Sequence, residues 1–553
     1  MKRRWNAFLL ALALAAGLWV PAEAAEFADV PPDSALGAEV SKAVQYGLMN
    51  GYSAARFGYG DAVTRAQFAT IVGRMLGWGG DAGAVTAEMA LPDTLSDAYR
   101  AAIGAAAAHD AVDSGAAFRP ADAITRGEMS ELLVRALGLK SAAALAEKQG
   151  GLPFTDVTER TGYISVARAI GMANGVSETA FAPDATATRA QAAAMLVRVY
   201  EKINRPPQFI HGFYAISSYS QLHLTDQMDA VSAGWSRMTW DGLQAKLSTT
   251  SDGHNEYAIP DSYQLVTNYL DSTDKPLHLS VYMDTSGGLR ELLASQSGRA
   301  EAVEAVLGEL TRFYDAIGKN PYAGVTIDFE GLRSAQRENY TAFLTELSQK
   351  VHGIGKKLFV TVQPVLTTGS YYDGYDYRAI GALADRVILM AHDYDPLKLT
   401  GFTGSTYYQT AAPAPIDQVY ASLLAALDPD TGVEDTGKLA LAVSWKAVAW
   451  ETDGEGALTG ETPVHPALST VSQRLRQPGT VMGWSDTYQM PYLRYATEEG
   501  QNIFLWYEDA RSVAAKVRLA ELLGIRGVSL WRLGNLPDDS GDGLYFNVMD
   551  ALR

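Results

Sequence analysis

The 553-residue chain contains no cysteine, which excludes disulfide frameworks, thiolate metal sites and cysteine nucleophiles. Histidine is scarce, at 8 residues, and no two make the H-E-x-x-H pairing of a zinc hydrolase. Neither a metal nor a cofactor is therefore expected. Positive charge is short as well: 45 Lys and Arg against 63 Asp and Glu leave a net charge of −18. Such a chain is a poor partner for nucleic acid or an anionic membrane surface. Long apolar runs are confined to the N-terminus. There Lys2, Arg3 and Arg4 precede an apolar stretch from Phe8 to Trp19 and the small-x-small pattern Ala22-Glu23-Ala24. This reads as a secretory leader over residues 1–24, too short for a comfortable span of ~20 residues, so export without a remaining membrane anchor is expected.

What is present, first of all, is repetition. Phe27-Ala28-Asp29-Val30 recurs as Leu91-Pro92-Asp93-Thr94 and as Phe154-Thr155-Asp156-Val157. Thr64-Arg65-Ala66-Gln67 recurs as Thr125-Arg126-Gly127-Glu128 and Thr188-Arg189-Ala190-Gln191, at a spacing of roughly 60 residues. Each Thr-Arg-x-Gln/Glu is a capping box, in which threonine and the residue three later satisfy each other's backbone N–H groups. Helical apolar spacing follows at once, as in Phe68, Ile71, Val72 and Met75. An arginine beside a helix N-terminus suits an anion, because free N–H groups and the dipole favour negative charge there.

These motifs resemble the surface-layer homology (SLH) module, whose signature is an F-x-D-V opening and an I-T-R-A-E helix start. The resemblance implies three all-α repeats, at residues 25–80, 88–140 and 152–203, and attachment to a secondary cell-wall polymer. Arg65, Arg126 and Arg189 then take the polymer-binding role. The second copy departs most, lacking the opening aromatic, and its site is expected to be degenerate. Asn204-Arg205-Pro206-Pro207 closes the region, since two prolines cannot continue a helix.

Residues 208–553 have the size and alternation of one α/β barrel with insertions. Eight apolar strands are expected, at 210–216, 230–233, 277–282, 324–330, 358–364, 386–390, 439–444 and 527–531. Amphipathic helices separate them, one carrying Val303, Val306, Leu310, Phe313 and Ile317, another Tyr340, Phe343, Leu344, Leu347 and Val351. Strand–helix–strand order favours parallel pairing with right-handed crossovers, a (β/α)8 or TIM barrel.

The chemistry is concentrated in Gly324-Val325-Thr326-Ile327-Asp328-Phe329-Glu330. A strand's period of two puts Val325, Ile327 and Phe329 toward the helices, and Thr326, Asp328 and Glu330 toward the barrel interior. Two carboxylates at the C-terminal end of a barrel strand mark the expected catalytic mouth. Mutual repulsion and burial are expected to hold a proton between them near neutral pH. Both approach from one side, whereas ordinary glycosidases place two carboxylates ~5–10 Å apart across the scissile bond. A substrate's own 2-acetamido group can supply the missing nucleophile.

This segment is similar to the D-G-x-D-x-D-x-E motif of glycoside hydrolase family 18, the chitinase and peptidoglycan-hydrolase family. The resemblance implies Glu330 as general acid/base and Asp328 as the residue orienting the acetamido group. It also places Met390-Ala391-His392-Asp393 on the family's M-x-Y-D, and Trp531 on the tryptophan flooring the sugar subsite. Ala323 and Thr326 stand where the family usually has aspartates, and His392 where it has the tyrosine that hydrogen-bonds the acetamido oxygen. His392, or Tyr394 beside it, is expected to fill that role. Tyr214, Trp235, Tyr282, Trp445 and Trp506 lie near strand ends, where aromatics stack on sugars or complete a core. Trp506-Tyr507-Glu508-Asp509 with Ser512 reads as an acidic helix start. The expected protein is a secreted, wall-anchored hydrolase of N-acetylglucosamine-containing glycans, with peptidoglycan favoured over chitin. The competing reading is a wall-anchored lectin on an inactive barrel.

Overall fold

The computed structural model describes residues 27–78, 89, 91–114, 117–251, 257–365, 372–536 and 544–552, so the leader read at residues 1–24 lies outside the described residues. Two compact units emerge. The first comprises Met1–Ala136, Pro153–Thr158 and Met172–Glu201, the second Leu137–Leu152, Glu159–Gly171 and Lys202–Arg553.

The first unit is helical, and the repeated motifs explain its construction. Helices Arg65–Leu76, Arg126–Ala136 and Arg189–Ile203 each begin at one of the three Thr-Arg motifs. In all three the threonine hydroxyl accepts the backbone N–H three residues on, while the Gln67, Glu128 or Gln191 side chain accepts the threonine N–H. The residues just before these caps close a ring of main-chain bonds. Val63 N–H donates to Ala187, Ala187 to Ile124 and Ile124 to Val63. Asp29 and Asp156, the aspartates of the F-x-D-V openings, accept the N–H groups of Phe57, Gly58 and Tyr59, and of Phe181 and Ala182. The motif's aspartate therefore organises the turn some 25–30 residues later, as an Asx-type contact does locally.

The second unit is the barrel, and it begins before the proline boundary. Helices Lys140–Gln149 and Thr161–Ala169 pack together within it. They approach so closely at Gly162 that a Cβ there would stand 2.0 Å from the Ala143 carbonyl oxygen, which is why glycine occupies the position. The third-repeat range 152–203 is thus divided between the two units.

Thirteen strands follow: β1 (Phe209–Tyr214), β2 (Ala230–Trp240), β3 (Ala245–Ser248), β4 (Leu277–Met283), β5 (Gly324–Phe329), β6 (Lys357–Val362), β7 (Arg386–Leu389), β8 (Leu439–Ser444), β9 (Val448–Thr452), β10 (Val481–Ser485), β11 (Met490–Ala496), β12 (Asn502–Trp506) and β13 (Gly527–Trp531). Eight of them pair in parallel around a closed ring, β1-β2-β4-β5-β6-β7-β8-β13, with β13 returning to β1. This is the TIM barrel expected, with seven of the eight strands within a few residues of the positions read from the sequence, while β2 starts where expected but runs on to Trp240, seven residues beyond its expected end. β3 adds antiparallel to β2.

Between β8 and β13 the chain inserts a second sheet, antiparallel, in the order β10-β11-β12-β9. Its alternating side chains separate two cores. Val448, Trp450, Phe504 and Trp506 face one, and Ala447, Ala449, Leu493 and Leu505 the other. One expected helix is shorter than its apolar spacing suggests. Gln296–Thr311 buries Val303, Val306 and Leu310 but stops before Phe313, which is 64% exposed. The Asn320 amide donates to the carbonyls of Glu309 and Arg312, ending the helix where the pattern still continues.

Candidate active site at the barrel mouth

All six residues of β5 are buried, so its alternation separates helix layer from barrel interior rather than core from solvent. Phe329 stacks on Phe343 of the helix Arg337–Gly353, with ring centroids 5.3 Å apart. On the other face, Thr326 and Asp328 point inward. Thr326 bonds Ser232 at 2.6 Å, Ser232 bonds His211 at 2.7 Å, and His211 bonds Ser529 at 2.8 Å. This chain of buried polar groups crosses the barrel from β5 through β2 and β1 to β13. Burial pushes His211 down to about 3, so the imidazole at its centre is neutral. A neutral threonine at position 326 fits that neutral network, where a carboxylate would have no cation to face.

One layer higher, the Thr361 hydroxyl of β6 donates to Asp328 at 2.7 Å. Burial raises the Asp328 carboxyl above its ordinary value, opposed by that hydrogen bond and by His392. Glu330 follows β5, its N–H donating to the Met283 carbonyl of β4 at 2.9 Å. Burial pushes its carboxyl well up, and the neighbouring charges of Asp328, Asp393 and Asp284 push it further. The two acids thus form a pair that holds a proton, with Glu330 at the rim.

Beyond β7, His392 and Asp393 turn into the same mouth. Asp393 has a left-handed backbone, φ 62°, a conformation that non-glycine residues adopt mainly where a site requires it. Its carboxylate meets the His392 Nδ1 at 3.0 Å and the Lys446 Nζ at 3.4 Å. Burial opposes ionisation of Asp393, but His392 and Lys446 outweigh it and hold the carboxyl well below its ordinary range. Lys446 also pairs with the buried Asp395 at 2.8 Å. With Nδ1 engaged, the other ring nitrogen of His392, Nε2, is buried and has no hydrogen-bond partner among the described residues. A buried polar atom left open in this way is costly unless a ligand satisfies it.

Trp531 ends β13 partly exposed, edge-on to Phe213 at 4.9 Å and resting on the cluster that contains Met390. With Asp393, Lys446, Trp445 and His465 it lines a cleft of about 300 Å³. Met390 is therefore support beneath the tryptophan. Two sequence-predicted residues lie elsewhere. The Tyr394 hydroxyl bonds Ser422 at 2.5 Å in the helix Ile416–Ala426, turned away from His392 by the left-handed residue between them. It is not placed to replace the missing tyrosine. Tyr214 is 2% exposed, edge-on to Trp235, and belongs to the core. Trp506 is likewise core, its indole N–H donating to the Tyr408 carbonyl. Asp509 caps the helix Ala510–Leu522 with Ser512, as its acidic start implies.

Thr361, Lys446 and Asp284 escaped sequence reasoning. Thr361 and Asp284 carry a recoverable signal, a polar residue at or just past the C-terminal half of a barrel strand. Lys446 carries none, because its partner Asp395 is 51 residues away along the chain.

In the helical unit, the three repeat arginines occupy matching positions. The Nε of Arg65 donates to the Phe118 carbonyl, that of Arg126 to Phe181 and that of Arg189 to Phe57. Each guanidinium also lies over the ring of the same phenylalanine, at 4.7–4.9 Å. Every repeat thus grips the next, and the second copy keeps its place in the ring despite its degenerate opening. Arg189 additionally faces, with Arg74, Tyr52 and Tyr99, a cleft of about 180 Å³.

Residues 279–535 match the family described as Glycosyl hydrolases family 18, and residues 26–69 and 153–193 match the S-layer homology domain. The second repeat, over 88–140, is not matched, so two of the three modules are recognised. The chain is 27% identical over 216 residues to the cortical fragment-lytic enzyme of Bacillus subtilis (strain 168), covering 38% of this chain and 47% of the relative. It is 25% identical over 252 residues to chitinase A1 of Niallia circulans, covering 40% and 35%. The chain spans about half the length of the first curated relatives it matches. A solved C-terminal domain from Desulfitobacterium hafniense DCB-2 superposes over its whole length on 63% of this chain, with TM-score 0.50 and 20% identity, which shows the shared fold. The barrel is therefore similar to that of glycosyl hydrolases family 18, and the S-layer homology domains indicate anchoring at the cell surface. No helix among the described residues is long and apolar enough to cross a membrane.

Proposed function

We propose that the barrel cleaves β-1,4 bonds at N-acetylglucosamine units of cell-wall glycan, with retention of configuration and with the substrate's acetamido group as nucleophile. The observation that carries this reading is the Asp328–Glu330 pair. Asp328 lies on β5 and Glu330 directly follows it, so Glu330 can protonate the leaving oxygen while Asp328 orients an acetamido group on the same side. His392 Nε2, buried and without a hydrogen-bond partner among the described residues, donates to the acetamido oxygen as the imidazolium, since the Nδ1 hydrogen is already given to the Asp393 carboxylate. Trp531 floors the sugar. Peptidoglycan is favoured over chitin because a wall anchor sets the enzyme beside it, and because cortical fragment-lytic enzymes stand among its relatives. Digestion of purified peptidoglycan and of chitin, side by side, with mass analysis of the products, tests the reading. Soluble products bearing reducing N-acetylglucosamine ends are expected from peptidoglycan, and release from neither polymer would overturn it.

His392→Tyr is expected to stay within about tenfold of wild-type activity, since the hydrogen bond exchanged is worth roughly 1 kcal/mol. Complete loss of activity in a folded variant would show that the two donors are not interchangeable here.

The anchor is proposed to be an anion site at the repeat arginines, with Arg74 and Arg189 facing one cleft as the support for it. In the full chain, Arg65→Ala with Arg189→Ala is expected to cut co-sedimentation with wall sacculi about tenfold or more, at ~1.5–3 kcal/mol per charged hydrogen bond lost. High salt should weaken the remainder further. Because both arginines also hold neighbouring repeats, the melting temperature should fall in parallel. Wild-type pelleting by the double variant would remove the anion site from the account.

A further inference from the structure

We propose that Asp284, the residue directly after β4, is a positioning residue that keeps Glu330 protonated and so extends hydrolysis to higher pH. The inference rests on the reading of Glu330 as general acid, and it adds a carboxylate that neither the catalytic motif nor the sequence comparison singles out.

The geometry follows from the β4–β5 register. Tyr282 pairs with Asp328 and Met283 with Phe329, so the next residues along, Asp284 and Glu330, emerge side by side at the mouth. The Glu330 N–H bond to the Met283 carbonyl, 2.9 Å, fixes that adjacency. Asp284 is built to remain an anion. Its carboxylate accepts the Ser286 N–H at 2.9 Å, the Ser286 hydroxyl at 2.6 Å, the Gly287 N–H at 3.1 Å and the Tyr282 hydroxyl at 3.2 Å. Four donors hold the charge in place at the start of the short turn Thr285–Gly287. Burial works against that ionisation, and these donors outweigh it.

Asp328 and Asp393 also raise the Glu330 carboxyl, each more than Asp284 does, but both differ from Asp284 in their own partners. Asp328, on the same strand, shares the pair's proton and is itself raised by burial. Asp393, beyond β7, is compensated by Lys446 at 3.4 Å and His392 at 3.0 Å. Tyr282 and Tyr375 are phenols kept neutral by burial. Among the described residues no lysine or arginine pairs with Asp284. It is therefore a fixed negative charge beside the acid, without a compensating cation, and a like charge disfavours loss of the Glu330 proton.

The sign can be tested. Activity that needs a protonated Glu330 is lost as pH rises through its pKa, so removing a neighbouring anion moves that loss to lower pH. For Asp284→Asn, the alkaline limb of kcat/KM on N-acetylchitooligosaccharides and on isolated peptidoglycan glycan strands is expected to fall by about one pH unit. Asp284→Glu should restore most of it. An activity-independent arm follows the Glu330 carboxyl stretch by infrared titration, assigned by its disappearance in Glu330→Gln. Its midpoint should fall by a similar amount in Asp284→Asn. A lowered kcat with an unmoved limb and an unmoved midpoint would make Asp284 merely structural and overturn the proposal. If wild-type protein hydrolysed neither glycan, the infrared midpoint would still decide the coupling, and only the assignment of Glu330 as acid would fall.

Discussion

Replacing Glu330 with glutamine is expected to lower kcat by about 10²–10⁴-fold on oligosaccharide substrates while leaving binding nearly intact. The amide keeps the shape of the carboxyl group at the end of β5 but has no proton to give. Glu330 is the group that burial and three neighbouring carboxylates hold in its acid form, so the loss falls on the bond-breaking step. The effect should depend on the leaving group. A sugar alkoxide needs the proton and shows the full loss, whereas an aryl glycoside with an acidic phenol is expected to be rescued in large part. Steady-state kinetics on the two substrate types checks this. Equal loss on both, or a rise in KM with kcat unchanged, would move Glu330 from acid catalysis to binding.

Asp328→Asn, and removal of the substrate's acetyl group, are expected to be comparably severe, each costing about 10²-fold or more. Asp328 is 2% exposed, held by Thr361, and faces His392 across the mouth. An acetamido group between Asp328 and His392 would be gripped at its N–H by the carboxylate and at its oxygen by the Nε2–H of the imidazolium. Its oxygen would then be aimed at the anomeric carbon. Asparagine cannot accept the N–H with a full charge, so orientation is lost though the volume is preserved. Glycans de-N-acetylated at the cleaved unit should resist wild-type enzyme to a similar degree, and the first product should retain the β anomer. Early-time NMR of the anomeric protons checks both expectations. Efficient cleavage of a fully deacetylated oligosaccharide, or an inverted product, would require a protein nucleophile instead. Thr361→Val provides a graded control, since it removes one donor to Asp328 and should weaken catalysis less than Asp328→Asn.

Much of this was legible along the chain because the relevant signals are local. Capping boxes are set by residues three apart, and all three form. Strand alternation is set by residues two apart, and the inward face of β5 carries Thr326 and Asp328 as its pattern requires. Eight apolar segments separated by helical ones leave few arrangements besides a parallel barrel. Glu330, Asp328 and Trp531 could be singled out because each sits at a strand's C-terminal end.

What the sequence could not decide depends on residues far apart being brought together. The ring through Val63, Ile124 and Ala187, and the grip of each arginine on the next repeat's phenylalanine, join positions more than fifty residues apart. The helices 140–149 and 161–169 carry the repeat's pattern but fold with the barrel, because an amphipathic face specifies that it will be covered and not by what. The side chain of Tyr394 is held by a hydrogen bond with Ser422, and the helix Gln296–Thr311 ends where the Asn320 amide takes the carbonyls of Glu309 and Arg312. Above all, the electrostatics of the mouth belong to the tertiary structure. Asp328 sits on β5, while Asp284, Glu330, Asp393 and Lys446 come from the segments just after β4, β5, β7 and β8. A carboxyl group's proton affinity follows from distance and burial, which the fold alone supplies.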